Sequence, residues 1–380
     1  MSRSTTCWRC SIQRRTRTVT EPFSATIAAA IVVAVGVTSA VEKAYAEPAA
    51  DAPPADERLF DGNETIVLEL RAPLNSLMSD RHGKSAYRPA QLRHFRDSDS
   101  EQAAVTVPVE VRTRGKTRRR KDYCAFPPLR LRFGDGADGT LFAGQRSVKL
   151  VTHCHDKDSY EQYVLLEYLA YRAYNQLTER GLRARLVRMN YVHSNGRPRT
   201  TRHGILLEDW RAAAARNGLR SDDVNGAVNI DKLSSADANR VAVFQYMIGN
   251  QDWSVLWPEP DESCCHNVKP LLAPEGLVVP LPYDFDFSGI VNAPYATARG
   301  GGSNVRMRRY GGLCATQGEL AAALPPFVER KEAIYALYRN QPELSARRLR
   351  SALNYLDGFY RLIDDPQQVD RRMIRRCKSE

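Results

Sequence analysis

Hydrophobic and polar residues follow two different spacings along the chain. In the first half, apolar side chains mostly alternate with polar ones over short stretches, the pattern of strands with one buried face. The predicted strands span residues 64–71, 105–112, 129–133, 147–151, 185–192 and 204–207. Apolar residues at helical spacing predict helices between Asp158 and Gly181, between Ser234 and Gly249, and from residue 326 onwards. A β-rich front followed by a helix-rich back predicts an α+β fold.

The N-terminal 46 residues have the pattern of an export signal. Five arginines precede an apolar stretch over 25–41, and Ala44-Tyr45-Ala46 forms a cleavage site before Glu47. We therefore expect a signal peptide over 1–46 and a solvated linker over 47–62, with an uncleaved anchor as the alternative. After cleavage no stable membrane span is expected. The protein would be exported, to the periplasm or the extracellular space.

Composition and charge change once this segment is removed. The 380 residues carry a net charge of +11, and the first 46 hold six Lys/Arg and two acids, so the mature charge is +7. The aromatic content excludes a disordered chain, and the single long apolar run excludes a polytopic membrane protein. Export argues against nucleic acid as a partner.

The cysteines point to disulfides. Removing the signal leaves six of the eight, an even number for an oxidising compartment, and no C-x-x-C pair survives. Spacing does not fix the pairing. The pairs we favour are Cys124–Cys154 and Cys314–Cys377.

The densest group of polar residues lies between residues 249 and 289. Asp284 and Asp286 follow the apolar stretch LVVPLP, where a buried acid is costly unless it is paired or binds a cation. With Asn267 they form an oxygen-rich set that suits Mg²⁺ or Mn²⁺. Asp252, on a loop after a helix, would then be free to act as a base. The alternative is that these residues cap turns and bond to the backbone.

The order Asp…Asn…Asp matches the logic of phosphoryl transfer by kinases, which also requires a strand lysine and a helix acid. Lys149 lies on the strand over 147–151, and Glu167 lies within the apolar stripe of the following helix. A buried carboxylate needs a partner. Lys149 is the natural candidate, and a Tyr hydroxyl or an Arg is the alternative.

A run of basic residues over 112–121 surrounds one glycine. The glycine turn formed by Arg114, Gly115 and Lys116 could cover phosphates. The alternative is a solvated hairpin tip.

Four stretches resemble the secreted, atypical kinase family of the spore coat protein CotH. They are VRTRGKTRRRKDYCAFPPLRLRF, KLVTHCHDKDSYEQYVLLEYLAYRAYNQLTERG, YVHSNGRPRTTRHGILLEDW and the run VFQYMIGNQDWS…HN…PYDFDFSG. Together they cover most of residues 105–295, and only the last is specific. The resemblance implies a protein-kinase-like fold. Its β-rich N-terminal lobe would span 63–210, and its helix-rich C-terminal lobe, carrying the active-site loops, would span 211–380.

The resemblance also implies an activity. It implies phosphoryl transfer from ATP, with a divalent metal, to a protein. Together with the export signal and the oxygen-rich ligand set, this predicts a monomeric phosphotransferase that uses ATP and Mg²⁺ or Mn²⁺ on a protein or envelope substrate. Asp252 would be the catalytic aspartate, Asn267 and Asp284 metal ligands, and Lys149 with Glu167 the phosphate-positioning pair.

Two other functions stay open. The stretch WPEPDESCC between Asp252 and Asn267 is longer than a kinase catalytic loop allows. A non-catalytic, pseudokinase-like envelope protein that binds a ligand or a partner is therefore the first alternative. A metal-dependent hydrolase using Asp284, Asp286 and His266 is the second.

Overall fold

Seven strands between residues 66 and 207 close into a barrel. The computed structural model describes residues 58–81, 85–95, 104–222, 226–258, 263–298 and 304–379. The strands are β1 (Ile66–Ala72), β2 (Arg88–Phe95), β3 (Ala104–Thr113), β4 (Leu129–Phe133), β5 (Ser147–Val151), β6 (Ala184–His193) and β7 (Pro198–Leu207). Their order around the barrel is β1-β2-β3-β4-β5-β7-β6, and parallel pairing of β1 with β6 closes it.

The closed barrel overturns the predicted kinase-like fold. That fold is wrong because its N-terminal β-sheet lobe is replaced by a seven-stranded mixed barrel, in which β1 pairs with both β2 and β6. The predictions for β4 and β5 are confirmed residue for residue, and those for β1, β3 and β6 agree within two residues. Of β7, only the last four residues were predicted. The sequence pattern missed β2, in which only Leu92 is buried. It also carries no information on the long-range pairing of β1 with β6. The predicted boundary between residues 210 and 211 stays a prediction.

Alternation along the strands sorts side chains between the barrel interior and its outer face. In β4, Leu129, Leu131 and Phe133 are buried, whereas Arg130 and Arg132 lie on the opposite face. The same alternation runs through β1, where Leu68 and Leu70 are fully buried. Successive side chains of a strand point to opposite faces, so the aliphatic set fills the barrel and the arginines lie outside it.

Nine α-helices are assigned in the described ranges. They are α1 (Leu74–Ser79), α2 (Asp158–Leu177), α3 (Trp210–Arg216), α4 (Ser235–Ile248), α5 (Leu320–Ala323), α6 (Pro325–Glu329), α7 (Lys331–Arg339), α8 (Ala346–Ile363) and α9 (Pro366–Arg372). The predicted helices over 158–181, 234–249 and the C-terminal region are confirmed. Buried residues of α2, α4 and α8 share one hydrophobic core, which is distinct from the core inside the barrel.

Both favoured disulfides are confirmed. Cys124 and Cys154 are joined with their Cα atoms 4.7 Å apart, and Cys314 and Cys377 with theirs 5.0 Å apart. The two remaining cysteines of the described ranges, Cys264 and Cys265, are joined to each other. The Cys314–Cys377 bond links the C-terminal end of the chain to the segment before α5.

No helix in the described part of the chain has both the length and the apolar character needed to cross a membrane. The predicted signal peptide over 1–46, and residues 47–57 of the predicted linker, lie outside the described residues.

Candidate functional site

A β-hairpin places Asn267 beside the start of residues 284–286, which hold Asp284 and Asp286 and are called the acidic segment below. Its strands, β8 (Val268–Leu272) and β9 (Val278–Pro282), pair so that Val268 lies opposite Pro282. Asn267 precedes β8, and Tyr283 follows β9. The Tyr283 amide donates to the Asn267 carbonyl at 3.0 Å. The register of the hairpin thus brings together two predicted metal ligands that are far apart in sequence, Asn267 and Asp284.

Asp252 is hydrogen-bonded to Asn267 at this end of the hairpin. Its backbone amide donates to Asn250 Oδ1 at 3.0 Å. On its carboxylate, Oδ1 lies 2.8 Å from His266 Nε2, and Oδ2 accepts from Asn267 Nδ2 at 3.1 Å. Asn267 Nδ2 also donates to the Asp252 carbonyl at 2.7 Å. The long insertion between Asp252 and Asn267 therefore does not separate them.

Two glycines fasten the loop after the acidic segment to the end of α4. The Gly289 amide donates to the Gly249 carbonyl at 3.1 Å. Gly249 has φ +69°, and a Cβ at either glycine would collide with the Tyr355 hydroxyl. Only glycine satisfies both the left-handed backbone and the close approach at Gly249. These contacts fix the path from Asp252 to the acidic segment.

Tyr171, on α2, orients Asp284. The Asp284 amide donates to the Tyr171 hydroxyl at 2.9 Å, and Asp284 itself has φ +66°. The Tyr171 ring lies 4.6 Å from that of Phe285, which packs in turn on Phe244 of α4. Phe285 is fully buried, so it anchors the two aspartates on either side of it. Glu167 lies one helical turn before Tyr171 and therefore on the same side of α2.

Arg118 is the counter-charge of the buried carboxylates. Its Nη1 lies 3.8 Å from Glu167 Oε2 and 3.6 Å from Asp286 Oδ2. The favoured partner of Glu167, Lys149, is wrong, and the structure shows an arginine, one of the two alternatives. No salt bridge joins Glu167 to Lys149, although both lie within the described ranges.

One guanidinium does not fully compensate two buried acids. Burial, followed by the neighbouring Asp286, raises the pKa of Glu167 well above its ordinary value. Burial, followed by Asp284, raises the pKa of Asp286 to about 7. Glu167 Oε1 and Asp286 Oδ2 have no hydrogen-bond partner within the part of the chain that the structure describes. The pair therefore has unused capacity to bind a cation.

Lys149 belongs to the basic part of the site. Burial, followed by Arg114 and Arg130, lowers its pKa from 10.5 to about 7, and Asp284 opposes this shift. Its Nζ lies 4.8 Å from the centre of the Tyr283 ring. Asp284 is thus within electrostatic reach of Lys149, Glu167 and Asp286.

The predicted phosphate loop is placed only in part at this site. Arg114 is half-buried and acts on both Lys149 and Glu167. Gly115, with φ +89°, and Lys116 are exposed, and a Cβ at Gly115 would meet open space. The role of Arg114, Gly115 and Lys116 as a phosphate cover stays a prediction.

Sequence reasoning missed several residues of the site. They are Arg118, Arg130, Tyr171, His266 as the partner of Asp252, Lys269 and Tyr295. Arg118 is buried, yet it lies in a run of basic residues in which nothing distinguishes it from its exposed neighbours. Arg130 could have been found from the sequence. The alternation in LRLRF places Arg130 on the outer face of its strand, and the alternation in SVKLV places Lys149 on the outer face of the next one.

No protein-family description matches the chain, and no curated protein is significantly similar to it. Among the described residues, no group of three or more His, Cys, Asp or Glu side chains has the geometry of a metal site.

Proposed function

We propose that the protein is an exported, metal-dependent phosphotransferase that moves a phosphoryl group from ATP to a protein or envelope substrate. The observation that carries this proposal is the convergence of Asp252 and Asn267, joined by a hydrogen bond of 3.1 Å, with the end of the hairpin that precedes Asp284. Lys149 and the buried acids Glu167 and Asp286 all lie within electrostatic reach of Asp284. A nucleotide triphosphate brings negative charge and a divalent cation into the same site, so it needs basic and acidic protein groups side by side.

The chemistry of the donor set fits a divalent cation. Asp286 Oδ2 is buried without a hydrogen bond, and Asn267 uses its Nδ2 on Asp252, so its Oδ1 is the amide atom available to a metal. Mg²⁺ is typically held by one or two carboxylates together with substrate phosphates, rather than by a cage of protein groups alone. Asp284, Asp286 and Asn267 would hold it. The cation would neutralise charge on the phosphates.

Asp252 would accept the proton of the acceptor hydroxyl. The hydroxyl oxygen forms a new bond to the terminal phosphorus, the bond from phosphorus to the bridging oxygen breaks, and its electron pair leaves on ADP. His266 and Asn267 hold the Asp252 carboxylate in one orientation. Such orientation of a base is a substantial part of the rate enhancement in phosphoryl transfer.

A non-catalytic binding protein is the second candidate, and one observation favours it. Both carboxylate oxygens of Asp252 already have partners, His266 and Asn267. A carboxylate whose two oxygens both have hydrogen-bond partners is less able to accept a proton from a substrate. The anion and metal site would then serve recognition only.

Family membership is proposed on the active-site run alone. Asp252, Asn267 and Asp284 occupy the positions that the resemblance to the CotH family assigns to a base and two metal ligands. The barrel does not support the kinase-like fold that this resemblance implied.

Removal of one carboxylate tests the proposal. For Asp284→Ala we expect Mg²⁺-dependent ATP binding to weaken roughly tenfold or more, about 1.4 kcal/mol, measured by calorimetry. Asp138→Ala, the same change at an exposed aspartate, should bind like the wild type. Equal ATP binding by Asp284→Ala and the wild type would contradict the proposal.

A second variant separates the two candidates. Asp252→Asn should keep ATP binding but lose about 10²-fold or more in phosphoryl transfer, the usual contribution of a general base. Transfer would be followed with radiolabelled ATP and an envelope extract. A wild-type protein that binds ATP without any transfer or hydrolysis would favour the non-catalytic candidate.

A further inference from the structure

Three cations form a row across three neighbouring strands on the outer face of the barrel. Arg112 of β3 lies directly opposite Arg130 of β4, and Arg130 lies directly opposite Lys149 of β5. The residues beside them in each strand, such as Val111, Leu131 and Val148, are buried in the barrel. All three cations therefore belong to one face. Neighbouring strands lie about 4.8 Å apart, so the row is roughly 10 Å long.

This row is costly for the free protein. Like charges directly opposite each other in a sheet are destabilising. Arg112, Arg130 and Lys149 form no salt bridge with any described residue, and Arg112 Nε is buried without a hydrogen bond. All three side chains are half-buried, so solvent screens their repulsion incompletely.

The adjacent cross-strand pair shows that the strands can pair charges in the usual way. Glu110 of β3 lies opposite Arg132 of β4 on the same face, and the two form a salt bridge. The next pair on this face, Arg112 with Arg130, has two arginines instead. A like-charge pair therefore lies beside a compensated pair on the same face.

The row leads into the candidate site. Lys149, at its end, is within electrostatic reach of Asp284, and Arg114 and Lys269 add positive charge around it. Asp209 is the acid that acts on Arg130. A single phosphate would reach one or two of these cations, whereas a chain of linked phosphates is long enough to reach all three.

We propose that Arg112, Arg130 and Lys149 form a binding site for a chain of condensed phosphates, with one end of the chain at Lys149, next to the Tyr283 ring. The binding site stands on the strand register alone. Its use as the donor site rests on the proposed phosphotransferase function. Inorganic polyphosphate and a nucleoside polyphosphate share this chemistry, and the experiment distinguishes them.

The test uses calorimetric titration of the full mature protein with tripolyphosphate in EDTA at fixed ionic strength. We expect orthophosphate to bind roughly tenfold or more weakly than tripolyphosphate, and Arg130→Gln to weaken tripolyphosphate binding by a similar factor. Arg188→Gln, an exposed arginine of β6 outside the row, is the matched control and should bind like the wild type. Because no divalent cation is present, Asp284→Ala should bind tripolyphosphate at least as tightly as the wild type.

Thermal unfolding separates a loss of phosphate binding from a loss of stability in the variant. Without ligand, Arg130→Gln should unfold at the same temperature as the wild type or higher, since it removes like-charge repulsion. With tripolyphosphate, it should gain less stability than the wild type. A variant that is less stable without ligand yet gains the full stabilisation from tripolyphosphate would overturn the proposal.

Competition identifies the source of the phosphate chain. Displacement of tripolyphosphate by ATP would support a nucleoside polyphosphate, and displacement only by longer inorganic chains would support inorganic polyphosphate. Equal binding of an oligonucleotide, or an equal loss in Arg188→Gln and Arg130→Gln, would overturn the proposal in favour of unspecific charge attraction. If the wild-type protein binds tripolyphosphate at the row but shows no Mg²⁺-dependent ATP binding, the proposed function would be contradicted and the phosphate-binding row would not.

Discussion

The guanidinium of Arg118 lies 3.6 Å from the carboxylate of Asp286, so a residue of the basic run is the charge partner of the acidic segment. Both side chains are buried. The same guanidinium lies 3.8 Å from Glu167. This contact connects the segment after β3, helix α2 and the segment after β9 at one point, and it makes Arg118 a structural requirement of the candidate site.

Removing this cation should be costly. We expect Arg118→Gln to lower the free energy of unfolding by about 3–5 kcal/mol at pH 7, because it leaves Glu167 and Asp286 buried without a counter-charge. Urea denaturation would measure the change. Arg188→Gln should stay within about 0.5 kcal/mol of the wild type, as exposed positions do. A loss of similar size in both variants would argue against the buried contact.

The raised pKa of Asp286, about 7, predicts a pH dependence of stability. Asp286 binds a proton more tightly in the folded than in the unfolded state. Stability should therefore fall as pH rises from about 4 to about 7. Urea midpoints across this range should show a steeper fall in the wild type than in Asp286→Asn. An identical pH profile for the two proteins would contradict the raised pKa.

The lowered pKa of Lys149, about 7, predicts unusual reactivity. At pH 8 most of its amine should be neutral and nucleophilic, whereas an ordinary lysine is still protonated. Brief acetylation followed by peptide mass spectrometry should modify Lys149 ahead of exposed lysines such as Lys116. A bound phosphate chain should suppress the reaction, because negative charge favours the protonated amine. Modification of Lys149 after Lys116 would contradict the prediction.

The disulfides should stabilise the folded protein. For the double variant Cys124→Ala/Cys154→Ala we expect a loss of about 2–4 kcal/mol, because the bond closes a loop of 30 residues. Denaturation in urea would measure it. Peptide mapping of the unreduced protein should show three disulfides and no free thiol among the six described cysteines. A free thiol at any of the six would contradict the assignment.

The sequence by itself determined most of the local structure and the identity of many site residues. Alternation and helical spacing placed the strands around Lys149 and helix α2 with Glu167. The even number of cysteines indicated disulfides without fixing their pairing. The order of Asp252, Asn267 and Asp284 marked the site. These features depend on neighbouring residues or on side-chain chemistry, which a sequence displays directly.

Only the tertiary structure decided which elements pair and which charges meet. Closure of the barrel depends on β1 pairing with β6, and such long-range registers leave no mark in either strand's own pattern. The partner of Glu167 is Arg118 rather than Lys149, because burial selects one arginine from a basic run that looks uniform in sequence. The row of Arg112, Arg130 and Lys149 arises in the same way. Each of them alternates correctly within its own strand, and only the register between strands sets three cations side by side.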